Sequence, residues 1–91
     1  MVDFSLLAWV LRGRQRRVIF LVLEGTLIPA QIYERARRFN PKITRNSVSD
    51  VLCAFKEKGL VECLNEQEKK GRIYRLTKKG LLLRQSLEKS R

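Results

Sequence analysis

The side chains of this chain that can do chemistry are cations, short hydroxyls and amides, and two thiols. Lys and Arg number 20 against 9 Asp and Glu, and histidine is absent. Without an imidazole there is no histidine general base, no triad built on one and no His-ligated metal. Cys53 and Cys63 stand ten residues apart. That pair needs further ligands to hold zinc, and it does not read as a secreted disulfide framework. No catalytic residue, metal ligand or cofactor is therefore predicted, and an enzyme is not expected. What remains is electrostatic. A net charge of +11 on 91 residues favours a polyanionic partner, nucleic acid before an anionic membrane surface.

The cations fall in groups. RGRQRR (12–17) carries Arg12, Arg14, Arg16 and Arg17 with no acid, a group placed either beside a dimer interface or on outer phosphates. Arg35, Arg37, Arg38 and Lys42 form a second acid-free group. Lys69, Lys70 and Arg72 form a third, diluted by Glu66 and Glu68. Between the second and third lies Thr44–Asp50, where Arg45, Asn46, Ser47, Ser49 and Asp50 gather short polar side chains and one arginine.

These groups need elements to position them. At 44% hydrophobic residues the chain can build a core and is not disordered. Its length fits one domain. A domain of this size buries only about 60–65% of its unfolded surface, so association can contribute. Asp3 is a candidate N-cap for a helix over 4–11, apolar nearly all round and so buried on more than one side. Gly13 breaks it. A second helix, 14–24, begins in the arginine group and ends at Gly25 as a C-terminal glycine. Residues 26–28 are short and β-prone. Pro29 suits the first turn of a third helix, with Ile32, Ala36 and Phe39 spaced to face the core. Asn40-Pro41 stops it, and Asn40–Ile43 is a tight turn.

Thr44 then caps a fourth helix, 44–58. Val48, Val51, Leu52 and Phe55 make one apolar stripe at i, i+3, i+4, i+7. The opposite face holds Asn46, Ser49, Asp50, Cys53 and Glu57. Gly59 ends the helix, with Leu60 placed for the accompanying apolar contact. VECL (61–64) and RIYRL (72–76) read as a hairpin around the polar loop 65–71, with Arg72, Tyr74 and Leu76 on one face. Thr77 caps a last helix to about residue 89. Leu81, Leu82 and Leu83 span about 200° of that helix and cannot all face one small core. Part of that surface, with the first helix, is expected to meet another subunit.

Two helices joined by a tight turn, then a hairpin with a basic loop, is the element order of a winged helix-turn-helix. The expected class is α+β, mostly α, with extra N-terminal and C-terminal helices on a single domain over 1–91. ITRNSVSDVLCAFKEKGLVE (43–62) resembles the recognition-helix segment of winged-helix regulators of the MarR, PadR and ArsR type. GRIYRLTKKG (71–80) resembles their strand-to-helix end, a Tyr-x-Leu-Thr-x-x-Gly pattern. The resemblance covers about residues 14–80 and is nearest to the small archaeal regulators of this shape. The chain departs from these families at Ile28, where a capping Ser or Thr is usual. It also lacks the Asp-x-Arg-Arg loop signature, the ArsR metal ligands and a long PadR C-terminal domain.

The resemblance implies that helix 44–58 enters the major groove N-terminus first. Arg45 would then pair with guanine and Asn46 with adenine. Ser47 and Ser49 would touch bases or phosphates, and Asp50 would accept from cytosine N4. Thr44 to Ser47 also cap the helix, and Asp50 has the alternative of pairing with a nearby arginine. Thr44, Arg35, Arg38, Lys42, Lys69, Lys70 and Arg72 would contact phosphates, with the wing (65–72) on the backbone or in the minor groove. The segments 1–13 and 78–91 would dimerise through Phe4, Leu7, Trp9, Leu11, Leu82, Leu83 and Leu87. Cys53 is either a small spacer or a redox-sensitive thiol. Trp9 and Tyr33 line either the core or a ligand pocket.

The reading is a homodimeric, double-stranded-DNA-binding transcriptional regulator. Its rivals are a chromatin-like architectural protein and a winged helix used for protein contact. The short polar face of helix 44–53 favours sequence reading over the first, and the charge disfavours the second. Membrane binding is disfavoured because the cations are spread over several elements. The acidic start and short apolar runs predict neither a signal peptide nor a membrane span, hence a cytoplasmic, nucleoid-associated protein.

Overall fold

A computed structural model of the chain describes residues 3–89. The outermost positions of the two expected dimerisation segments, 1–2 and 90–91, lie outside the described residues. Helix α1 (Phe4–Arg12) opens on Asp3, whose Oδ1 accepts the Leu6 N–H at 3.1 Å. It buries Leu6, Leu7 and Val10, while Trp9 and Leu11 pack against the core from its edge. Gly13 separates it from α2 (Arg14–Val22). A Cβ on Gly13 would collide with the folded-back guanidinium of Arg16, so the glycine serves close approach there.

Helix α2 ends at Val22, two residues before the expected end, and Gly25 (φ 67°) sits in the following bend. The reason is tertiary. Arg84 of the last helix donates to the carbonyls of Leu21 at 3.0 Å and Leu23 at 2.6 Å, and to Glu24 Oε1 at 2.6 Å. Its guanidinium supplies partners that a glycine cap would have arranged within the chain. Leu27 then exchanges both backbone hydrogen bonds with Tyr74, at 2.9 and 2.8 Å.

Helix α3 (Pro29–Arg37) starts on its proline, and Gln31 Oε1 accepts the Ile28 N–H at 3.0 Å. Gln31 thereby satisfies a donor at an N-terminus that Ile28 cannot cap with its own side chain. Ile32 and Ala36 are buried as expected. Phe39 is not: it lies past the helix end and is 74% exposed. The apolar spacing was extended beyond the helix that carries it, and Ile43 enters the core instead.

Helix α4 (Arg45–Glu57) is capped by Thr44, whose Oγ1 accepts the Ser47 N–H at 3.1 Å. Val48, Val51, Leu52 and Phe55 are all buried. Phe55 sits edge-on to Phe20 at 5.7 Å and to Trp9 at 5.9 Å between ring centroids, joining α1, α2 and α4. Gly59 (φ 76°) and Leu60 close the helix, with Leu60 N–H on Phe55 O at 2.8 Å and Gly59 N–H on Lys56 O at 3.0 Å. Both bonds of the expected C-terminal motif are present.

Strands β1 (Val61–Cys63) and β2 (Tyr74–Leu76) pair antiparallel, with Val61 opposite Leu76 and Cys63 opposite Tyr74. They are shorter than expected. Asn65 Oδ1 takes the Ile73 N–H at 2.7 Å, so the ladder gives way to a loop there and Arg72 belongs to the loop rather than the strand. Helix α5 (Lys78–Lys89) is capped by Thr77, which accepts the Gly80 N–H at 3.1 Å and donates to Gly59 O at 2.6 Å.

Gly80 packs α5 onto the α4–β1 corner, and a Cβ there would collide with the Leu60 carbonyl oxygen. Gly80→Ala is expected to destabilise by about 1–3 kcal/mol, since backbone rather than a mobile side chain must yield. Thermal melts check this: an unchanged Tm would mean that α5 sits off the corner. Among the described residues, no helix is long and apolar enough to cross a membrane.

Candidate nucleic-acid interface

The exposed side of α4 is the obverse of its buried stripe. At about 100° per residue, Asn46 and Cys53 run along its crest, with Ser49 on one flank and Asp50 on the other; all four are exposed. Ser47 is half-buried, and its hydroxyl lies 2.9 Å from Thr44 Oγ1, inside the cap. Arg45 is exposed at the head of the helix, its guanidinium 5.5 Å from the Tyr33 ring centroid. Arg37 shares that ring at 5.6 Å and lies 3.7 Å from Glu34.

On the Ser49 flank lies a groove of about 430 Å³. Its walls are Ile28–Ala30 at the start of α3, Tyr74, and Lys69, Gly71 and Arg72 with Lys70 from the β1–β2 loop. That loop is held from inside. Asn65 Nδ2 donates to Gly71 O at 3.1 Å, and Arg72 Nε donates to Glu68 O at 2.8 Å. Lys69 and Lys70 are exposed and carry no ion pair among the described residues.

Glu66 turns away from these cations to pair with Lys56 in the last turn of α4. The hydrogen bond between them, with their charge attraction, holds Glu66 below the usual carboxylate range, and that hydrogen bond holds Lys56 above its ordinary value. A depressed carboxylate contributes stability at neutral pH that is lost as pH falls through its folded value. Glu66→Gln is therefore expected to lower Tm slightly at pH 7 and to match the parent in acid below the carboxylate range. An equal deficit at both pH values would show that the pair contributes nothing.

On the Asp50 flank lies a second groove, about 560 Å³, lined by Asp50, Val51 and Ala54 of α4, Trp9, Gly13–Arg16, Asn40 and Lys42. Arg16 stands over the Trp9 ring at 4.5 Å and donates Nε to Trp9 O at 2.9 Å. Asp50 forms no ion pair among the described residues.

The structure thus brings Asn46, Ser49, Asp50, Lys42, Lys69, Lys70 and Arg72 to one face or its borders. Thr44 and Ser47 are drawn into the cap. Arg35 and Arg38 are exposed near the end of α3 and line neither groove. For the arginines of 12–17 the sequence leaves two places open, beside a dimer or on outer phosphates; Arg14 and Arg16 line the second groove. The roles of Gly13 and Asn65 rest on side-chain conformation: Arg16 folds back over Gly13, and Asn65 bridges its loop to Gly71 and Ile73.

Two of the expected association residues are corrected. Leu7 (9% exposed) and Leu83 (1%) are in the chain's own core and have little surface to offer. The periodicity identified apolar helix faces without saying which core would take them. Trp9, Leu11 and Leu87 are half-buried against the core, while Phe4 (74%), Leu81 (49%) and Leu82 (41%) are exposed. Cys53 is exposed and Cys63 half-buried.

Together these features define a compact, mostly helical α+β domain whose longest helix presents a polar crest between two cation-lined grooves. Among known proteins the chain matches no family model, no curated protein and no solved structure.

Proposed function

We propose that this chain is a winged helix-turn-helix protein that binds double-stranded DNA sequence-specifically as a homodimeric transcriptional regulator. The observation that carries the reading is the crest of α4, polar, exposed and bordered by Lys69, Lys70 and Arg72. In this reading α3 and α4 are the helix-turn-helix and the β1–β2 loop is the wing. Helix α4 enters the major groove. Arg45 leaves Tyr33 to pair with guanine, Asn46 with adenine, and Asp50 accepts from cytosine. Ser49 touches base or phosphate. Thr44 and Ser47 chiefly keep the helix start in shape. Lys42 and the wing cations neutralise phosphates, with Arg35 and Arg38 reaching phosphates outside the two grooves.

Phe4, Leu81 and Leu82 are the exposed apolar side chains available for pairing two copies through α1 and α5. A two-fold dimer reads half-sites about 10 bp apart, or a multiple of that. The test is selection of bound duplexes from a random library at about 150–200 mM salt, where purely ionic binding is weakened. Enrichment of an inverted repeat is expected. Retention without enrichment would instead favour a non-specific architectural protein, and no retention at any salt a protein partner.

A further inference from the structure

We infer that the corner between α1 and α2 is a second phosphate-binding groove, which takes the DNA strand across the major groove from the wing. The inference rests on the DNA-binding reading above. The wing cations border α4 on its Ser49 flank; the corner, with Arg14 and Lys42, borders it on its Asp50 flank. An α-helix with its side chains is about 10–12 Å across, and the major groove is about 12 Å wide. A helix seated there has one row of phosphates along each flank. A protein with cations on a single flank would meet only one row; this one has them on both.

The corner is built as well as charged. Gly13 leaves room for Arg16 to fold onto Trp9, where its Nε is taken by the Trp9 carbonyl. Arg16 thus forms a fixed wall, and the exposed Arg14 and Lys42 are the cations free to meet an oxyanion. No side chain caps the start of α2, whose residues Gly13 to Arg16 line the same groove. Asp50 is the one acid lining it. Its place at the crest side keeps it toward the base edges in the proposed pose, where it accepts rather than repels.

Trp9 is the only tryptophan of the chain and lines this groove, so its emission reports occupancy. Titration with a 20-bp duplex of the selected sequence is expected to change Trp9 emission with the midpoint seen by anisotropy of the labelled duplex. Arg14→Gln with Lys42→Gln is expected to lower the slope of log K against log salt by about 2 per bound protomer, and Lys69→Gln with Lys70→Gln by the same amount. Each pair would make the affinity loss between 50 and 200 mM salt about tenfold smaller per bound protomer. All four side chains are exposed, and circular dichroism verifies that both variants fold.

If the corner variant keeps the parental slope while the wing variant loses its share, the inference is overturned and the DNA reading stands. If neither slope changes, the inference and the phosphate role of the wing both fall; if no duplex binds at 50 mM salt, the DNA reading falls with them. Inorganic phosphate at constant ionic strength is the control. A saturable change in Trp9 emission with phosphate alone, and none with duplex, would make the corner a small-anion site and overturn its assignment to the DNA strand.

Discussion

Phe55→Ala is expected to cost about 3–5 kcal/mol of folding stability. A chain of this length has about 5–14 kcal/mol in all, so a parent at the low end of that range is brought to the edge of folding. The size follows from where the ring is. Phe55 is fully buried and meets Phe20 and Trp9 edge-on, so truncation opens a cavity shared by three helices. Edge-to-face pairs contribute about 0.5–1.5 kcal/mol beyond area burial, and two are lost together. Urea titration should show a lower midpoint at nearly constant m. Phe39→Ala is the control: the same residue type, 74% exposed, is expected to change stability by less than about 0.5 kcal/mol. Equal losses at the two positions would mean that the core has been misassigned.

The second large effect concerns binding. Arg45→Ala is expected to weaken the selected duplex by about 1–3 kcal/mol, about 5- to 150-fold, and to relax preference at a single base pair. Lys70→Ala should weaken all duplexes alike and lower the salt slope by about 1. The difference comes from geometry. Arg45 heads the helix that would enter the groove and presents a planar fork, whereas Lys70 projects from the loop as a point charge. Binding curves on the selected site and on single-base variants, at two salt concentrations, separate the two. Identical behaviour would defeat the division between reading and positioning residues.

Helix α4 was the most legible part of the chain. Its cap, stripe and terminating glycine are local signals, and each is stated by residues within a few positions of one another: Thr44 to Ser47, Val48 to Phe55, Gly59 to Leu60. The misreadings all concern where an element ends. Phe39 continued the period of α3 past its last turn, and Gly25 looked like the cap of a helix that Arg84 finishes two residues sooner. Arg72 continued the alternation of a strand that Asn65 ends. Only Arg84 lies outside any window of neighbouring residues; α3 closes on its own Ala36 carbonyl, and Asn65 acts from the other end of its own loop.

The site was legible to the same degree. The types on the crest of α4 could be read from the helical period, and the exposed cations Lys69, Lys70 and Arg72 from the polar loop. That Ser49 and Asp50, adjacent in sequence, open onto two different grooves is a fact of packing. So is the cation on Tyr33: Tyr33 and Arg45 are brought together by the turn between α3 and α4. Leu81, Leu82 and Leu83 show where the reasoning stops. The sequence says that one core cannot hold all three, but only the fold decides that Leu83 is the one inside.

The Arg84 contacts also bear on when this chain can fold. Its hydrogen bonds to Leu23 and Leu21 close loops of 61 and 63 residues, so the carbonyls that end α2 wait for almost the whole polypeptide. The local contacts of α3 and α4 need no such closure, whereas the end of α2 gains its Arg84 partners only when α5 is in place. Closures that long are slow relative to neighbouring contacts. The last helix thus completes an end that lies 61 and 63 residues before it in the sequence.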